Sequence, residues 1–325
     1  MNGEKIKPNL YLLTCIFMLI GVVLFYSGLF TGVTLILTGI ASMLIGWGVA
    51  IVVLLKVLLQ TKAEDKRHAS IVSVAFIFGW LGMGSYFIWL LTNEGQYLNF
   101  ARQAGIWFFL LPILLVVSHR MIPFFSSRVL ENYDMVRPYW ILGMMLVCSL
   151  SHGLLMLLNM LEYTWIFDLI LAGCAFYLSI VWGLKRSFRV SLLAVLHISF
   201  AWLSISMFLF GFQSLILWLD NERLMLLGLA PMHALVIGYF SSMVLGMASR
   251  VTLGHSGRPL TLNSFTWILF LGFQLTTFSR ILPDIIPGLS DQQLFLYLVA
   301  GSIWLVCFIA WAVHFTPIYW KPRID

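Results

Sequence analysis

The chain has 325 residues, of which 61% are hydrophobic, 15% aromatic and only 10% charged. A water-soluble domain carries ~25% charged residues, so this sequence lacks the charge to wet an aqueous surface, which excludes a cytosolic globular enzyme, a disordered protein and a nucleic-acid-binding module. The formal net charge of +6 comes from basic residues in short loops between apolar runs, where they orient helices in a bilayer.

Crossing a hydrocarbon core of ~30 Å takes ~20 apolar residues in a helix. In chain order such runs lie near residues 10–30, 33–59, 70–92, 103–118, 138–160, 163–184, 190–218, 226–249, 263–287 and 293–315. Runs of this length exclude a membrane barrel. The first is too long, and lacks a small-residue cleavage site, for a removable signal peptide. The expected fold class is all-α, a polytopic membrane helix bundle of about ten spans forming one membrane domain over 1–325. Every Lys and Arg except Arg102, Arg223 and Arg280 falls on one side of this map. By the positive-inside rule that side, with both termini, is cytoplasmic. Cys15, Cys148, Cys174 and Cys307 sit inside the apolar runs without a C-x-x-C pair, so neither a disulfide framework nor a zinc site is indicated.

Small residues mark helix contacts. Gly79, Gly82 and Gly84 in the third run allow close approach. In the eighth, Gly238, Ser242, Gly246 and Ser249 form a stripe at i, i+4, i+8, i+11. Such stripes pack helices tightly in lipid, within one chain or against a membrane protein partner or second copy.

Ionisable groups inside hydrocarbon cost ~2.5–3.5 kcal/mol each on insertion scales, so each needs a reason. His152, Asp168, His197 and His233 lie in runs five to eight, His119 and His314 at cytoplasmic ends, and His255 and His68 in cytoplasmic loops, His68 solvated. Helical rise places His152 and His233 ~10–12 Å below the outer face and His197 in the cytoplasmic half. Imidazole is the commonest ligand for transition metals and haem iron, and bundles present such ligands from facing helices. His152, His197 and His233 are therefore the metal-ligand candidates. Against this, a single intramembrane histidine commonly just hydrogen-bonds a neighbouring helix. Ala201, Ser204 and Gly211 share the face of His197 and would leave room for a flat cofactor, with Phe208 stacking on it or filling the space. Met145, Cys148, Met156 and Asn159 share the face of His152, a set that suits Cu(I) and equally suits ordinary packing. Asp168 reads as a protonated or paired carboxyl, or as part of a proton path.

The segment His233–Leu260 reads HALVIGYFSSMVLGMASRVTLGHSGRPL. Its end gathers Arg250, Thr252, His255, Ser256 and Arg258, which suits a haem propionate, an anion or a partner loop, or else a basic turn that fixes topology. This segment closely resembles the NnrS family of bacterial inner-membrane proteins, with its His-Ala helix and LGH-(S/T)-GRPL loop. Three further stretches resemble the family in order: HRMIPFF (His119–Phe125), LHISFAWL (Leu196–Leu203) and TPIYWKPRID (Thr316–Asp325). The resemblance runs from about residue 70 to the end and leaves residues 1–69 without clear family features. Members usually carry a His-x-His-Glu element near the N-terminus. No histidine precedes His68 here, so the chain is similar to a shortened member.

The resemblance implies a haem- and copper-containing protein of the bacterial inner membrane, linked to nitric oxide and nitrosative stress. His197, His233, Arg250, His255 and Arg258 are then the cofactor-binding candidates, with nitric oxide as ligand. A second expectation is a metal-independent transporter, or a haem- or copper-handling subunit, using Asp168 and the histidines as an ion or proton path. No nucleophile, carboxylate pair or nucleotide loop is present, so any turnover must rest on a bound metal.

Overall fold

The computed structural model describes residues 6–220, 226–261 and 263–324; Lys5 and Arg223, used above to place loops, lie outside them. In hydrocarbon each backbone N–H must find its partner within the segment, and the apolar runs fold accordingly into helices. These are α1 (Pro8–Thr31), α2 (Val33–Gln60), α3 (Arg67–Thr92), α4 (Gly95–Val129), α5 (Tyr139–Leu157), α6 (Trp165–Val181), α7 (Ser191–Leu219), α8 (Ala230–His255), α9 (Ser264–Ile285) and α10 (Gln293–Tyr319). No strand occurs among the described residues. Nine of the described helices are long and apolar enough to cross a membrane. The remaining one, α6, has 17 residues and a length of ~25 Å, the lower limit for a span. The chain is an all-α polytopic helix bundle, a multi-pass membrane protein.

Each expected run corresponds to one helix, with several boundaries moved, among them the end of α4 from near 118 to Val129 and the end of α8 from near 249 to His255. Helix α4 starts at Gly95 rather than near 103, because polar Gln96, Asn99 and Gln103 alternate with Tyr97, Leu98 and Phe100 as an amphipathic entry to the span. Helix α10 runs on to Tyr319 through Pro317, which deletes one N–H bond without stopping the helix.

The helices pack as two compact units. One comprises Met1–Val117 and His152–Asn159. Its α1 and α2 form a hairpin whose glycines meet: a Cβ on Gly39 would stand 2.7 Å from the Gly21 carbonyl oxygen. Ser42 donates to the Phe17 carbonyl at 2.8 Å, and the Trp80 indole donates to the Leu44 carbonyl at 2.9 Å, tying α3 to α2. Gly79 lies under Trp47 and Phe109 and Gly82 against Ala104. Gly84, expected in the same role, is not used for a contact, since no atom lies within 4 Å of where its Cβ would be.

The other unit comprises Ser118–Ser151 and Met160–Asp325, with α7 at its centre. Helix α6 meets α7 where Ser204 donates to the Ala172 carbonyl at 2.8 Å and where Leu169 fills the space over Gly211. The small-residue stripe of α8 is used inside this unit. A Cβ on Gly238 would stand 2.7 Å from the Trp202 ring, and one on Gly246 2.6 Å from Val195. Trp202 donates to Gln274 at 2.7 Å, Gln274 to Ser242 at 3.0 Å, and Trp311 to Ser249 at 2.8 Å. Three helices are thus bonded to α8 or α7 by side chains whose alternative partner would be lipid. Helix α8 also contains a π-helical stretch, Ala234–Ser241, where Ser241 and Ser242 donate to the carbonyls of Val236 and Ile237 at 2.9 and 3.3 Å. A second such stretch, Ala104–Leu110, lies in α4.

Candidate functional site

The loop after α8 is first a helix stop. Gly257 has φ of 73°, and its N–H bonds the Gly254 carbonyl while Arg258 N–H bonds the Leu253 carbonyl at 3.0 Å. This is the Schellman arrangement, which calls for glycine at the left-handed position and tolerates Pro259 just beyond. A Cβ at Gly257 would also collide with the carbonyl oxygen of Ile324. The tail is held there by a bond from Ile324 N–H to the Ser256 carbonyl at 3.0 Å.

Two turns before Gly257 lies Arg250. It is 4% exposed and makes no hydrogen bond or ion pair with any described residue. Its guanidinium rests 3.9 Å from the centre of the Phe125 ring, and its Nε is fully shielded without a partner. The next residue of α4, Ser126, bonds His197 Nε2 at 3.0 Å. Two expected site residues from different helices therefore converge on one dipeptide, Phe125–Ser126. Pro123, just before it in α4, removes the N–H that would bond the His119 carbonyl. Phe200, on the helix of His197, packs against Trp182 and Tyr239 with ring centres 4.8 and 6.1 Å away. His119 binds the Pro138 carbonyl at 3.3 Å.

His233 lies at the other end of α8, seventeen residues from Arg250, a separation of about 25 Å along the helix. Its half-buried imidazole makes no hydrogen bond with any described residue, and its Nδ1 is shielded. Arg280, Asp284 and Tyr297 surround it. Arg280 lies 3.2 Å over the Tyr297 ring. Asp284 accepts from the Tyr297 hydroxyl and from Gln293 at 2.8 Å, and it forms no ion pair with Arg280. The guanidinium thus keeps Nη1 shielded and unpartnered. Sequence reading used Arg280 only to set topology and passed over Asp284 and Tyr297, because polar residues at helix ends read as ordinary interface residues. Their spacing, Arg280 to Asp284 and Gln293 to Tyr297 at i, i+4, was the available signal.

The remaining candidates stand apart from these two centres. His152 is fully buried in the first unit, its ring 3.6 Å from that of Trp107. Of its expected stripe, Met145 and Cys148 are buried, but Asn159 is exposed in a left-handed turn past the end of α5. His255 is exposed and Arg258 half-buried, with Nη1 shielded. Asp168 is buried in the first turn of α6. Two expectations are corrected. His68 is buried rather than solvated, since α3 begins at Arg67 and draws it into the helix. The small residues beside His197 do not open a slot at its ring: Ala201, Ser204 and Phe208 line a groove against α6, Gly211 is filled by Leu169, and Phe208 stacks on Phe212.

Among the described residues, no three His, Cys, Asp or Glu side chains stand close enough to hold a metal ion together. What the fold offers at the two centres is a single imidazole, with Arg280 beside His233 and Arg250 on the residue preceding the Ser126 that holds His197, neither guanidinium in an ion pair with a described residue. That donor set fits a group that brings most of its own metal ligands and carries carboxylates, as haem does. Architecture and site together define a polytopic membrane helix bundle with histidine–arginine centres. The chain belongs to the NnrS family, whose pattern, described as NnrS protein, matches residues 1–323. The match begins at residue 1, so α1 and α2 fall within it although the motifs begin later. No curated protein sequence matches the chain.

Proposed function

We propose that this protein is a haem-binding protein of the bacterial inner membrane serving the nitric oxide response, with His233 as the principal iron ligand. Family membership supports the link to nitric oxide. The observation that carries the haem reading is the imidazole of His233, which makes no hydrogen bond with described residues and has an unpaired guanidinium beside it. Tyr297 and Gln293 hold Asp284 away from Arg280, which leaves Arg280 to take a carboxylate of the cofactor. Haem iron would supply the nitric oxide affinity; the gas is apolar and reaches such a centre through lipid.

His197 offers a second imidazole, at a ring that the packing leaves without an open slot. Ser126 engages Nε2, fixing the ring's orientation as metal-bound histidines are usually fixed and leaving Nδ1 as the ligating atom. Arg250, with Arg258 and His255 in the following loop, would hold carboxylates there. Copper would take His152, whose buried ring lies over Trp107.

Visible spectra and metal analysis of the purified full chain test the reading. A Soret band that shifts with nitric oxide and is lost in His233→Ala is expected, with partial loss in His197→Ala. Full metal content without visible absorption would overturn the haem assignment.

A further inference from the structure

In the first unit, a groove of about 490 Å³ runs between α1, α2, α3 and the start of α4, within the ~300–1,000 Å³ range of ligand sites. Its walls are apolar, with Val22, Met43 and Gly82 among them, and its single charged lining residue is Arg102. Arg102 is exposed and forms no hydrogen bond or ion pair with described residues.

Three observations indicate what lies in this groove. It spans Gly79 to Tyr86 on α3, about 10 Å of helix rise and roughly two-thirds of one leaflet's hydrocarbon. Tyr26 and Tyr86 line it, aromatic residues of the kind that sit at headgroup level. Secondly, its space does not come from loose packing. A Cβ on Gly82 would stand 3.0 Å from that of Ala104, whereas Gly105, the next residue and inside the π-helical stretch, has no atom within 4 Å of where its Cβ would be. Thirdly, Arg102 lies on the loop side with few cations, where the positive-inside rule gives it no topological role. A hydrocarbon-lined slot ending at a lone, unneutralised guanidinium complements an amphiphile with a negative head.

We propose that this groove is a binding site for an anionic phospholipid, one acyl chain lying along Gly82 and Gly105 and the phosphate held by Arg102. A guanidinium–phosphate contact is charge-assisted and bidentate, so the charge, not the chain, would set the preference. The site is independent of the histidine centres.

Native mass spectrometry of the detergent-purified full chain, titrated with dioleoylphosphatidylglycerol or dioleoylphosphatidylcholine, is the test. Wild type should retain one phosphatidylglycerol in preference to phosphatidylcholine. Arg102→Gln should weaken phosphatidylglycerol retention about tenfold and phosphatidylcholine retention less, because choline already neutralises the phosphate of that lipid. A Cβ at Gly105 meets nothing within 4 Å, so Gly105→Leu, which places its side chain in the groove, should fold and lose both lipids, with the melting temperature as the check on folding. Equal retention of the two lipids by wild type would overturn the proposal. So would undiminished phosphatidylglycerol on both variants, or a non-lipid hydrophobe recovered from the groove in its place.

Discussion

Arg250 carries a charge that it cannot shed, because a guanidinium stays protonated in any protein environment. It is buried against Phe125 without an anion, and a cation–π contact of about 0.5–2 kcal/mol does not offset desolvation of several kcal/mol. Arg250→Met should therefore stabilise the ligand-free protein by about 1–4 kcal/mol, while lowering haem retention. Melting curves with and without haem would show opposite signs, and a loss of stability in both states would mean that the guanidinium is already satisfied. Ser126→Ala leaves a buried ring nitrogen of His197 without its partner and should cost about 1–3 kcal/mol, read from unfolding in detergent. At this scale the sequence disclosed only half of each pair. His197, His233 and Arg250 stood out as polar groups in apolar runs. Ser126 did not, since it is 71 residues from His197 and serines are common in membrane helices.

Helices were more legible than their contacts. Long unbroken apolar runs determine α1 to α10 because hydrocarbon leaves the backbone no alternative, and the glycine and serine stripe of α8 announced a close contact. It did not announce the partner, Trp202 of α7, since that depends on three-dimensional fit. Gly238→Ala should press on the Trp202 ring and destabilise the protein by about 1–3 kcal/mol. Gly84→Ala meets nothing and should be neutral or slightly stabilising, as removal of a mid-helix glycine usually is. Thermal unfolding of the two variants, side by side, checks both. The amphipathic start of α4 was missed because its polar residues diluted the apolar signal just where the chain enters the bilayer.

Across the whole molecule, nine helices qualify as spans among the described residues, and with α6 as the tenth crossing the chain would end on the side from which it started. Lys62 and Arg186 then belong to the basic face and Gln96 to the opposite one. Single cysteines at Lys62 and Gln96, in a background without the native thiols, should react with an impermeant maleimide from opposite sides of the membrane, which intact cells and inverted vesicles distinguish. Reaction of both from the same side would break the topology. Many large apolar side chains remain uncovered on this protein, from Tyr11 and Leu19 in α1 to Val306 and Val313 in α10. That surface is natural where the surroundings are lipid.

The widened turn between His233 and Arg250 has a genetic corollary. A stretch with i to i+5 bonding holds one residue more than ordinary coiling needs, so α8 can absorb a one-codon loss in a way that straight α1 cannot. Deleting Ile237 would let Ala234–Ser241 relax into regular winding while His233 and Arg250 keep their facings, whereas the same loss in the middle of α1 would swivel everything upstream by roughly 100° about the axis. Such a shortened gene product should insert normally and keep the His233 centre.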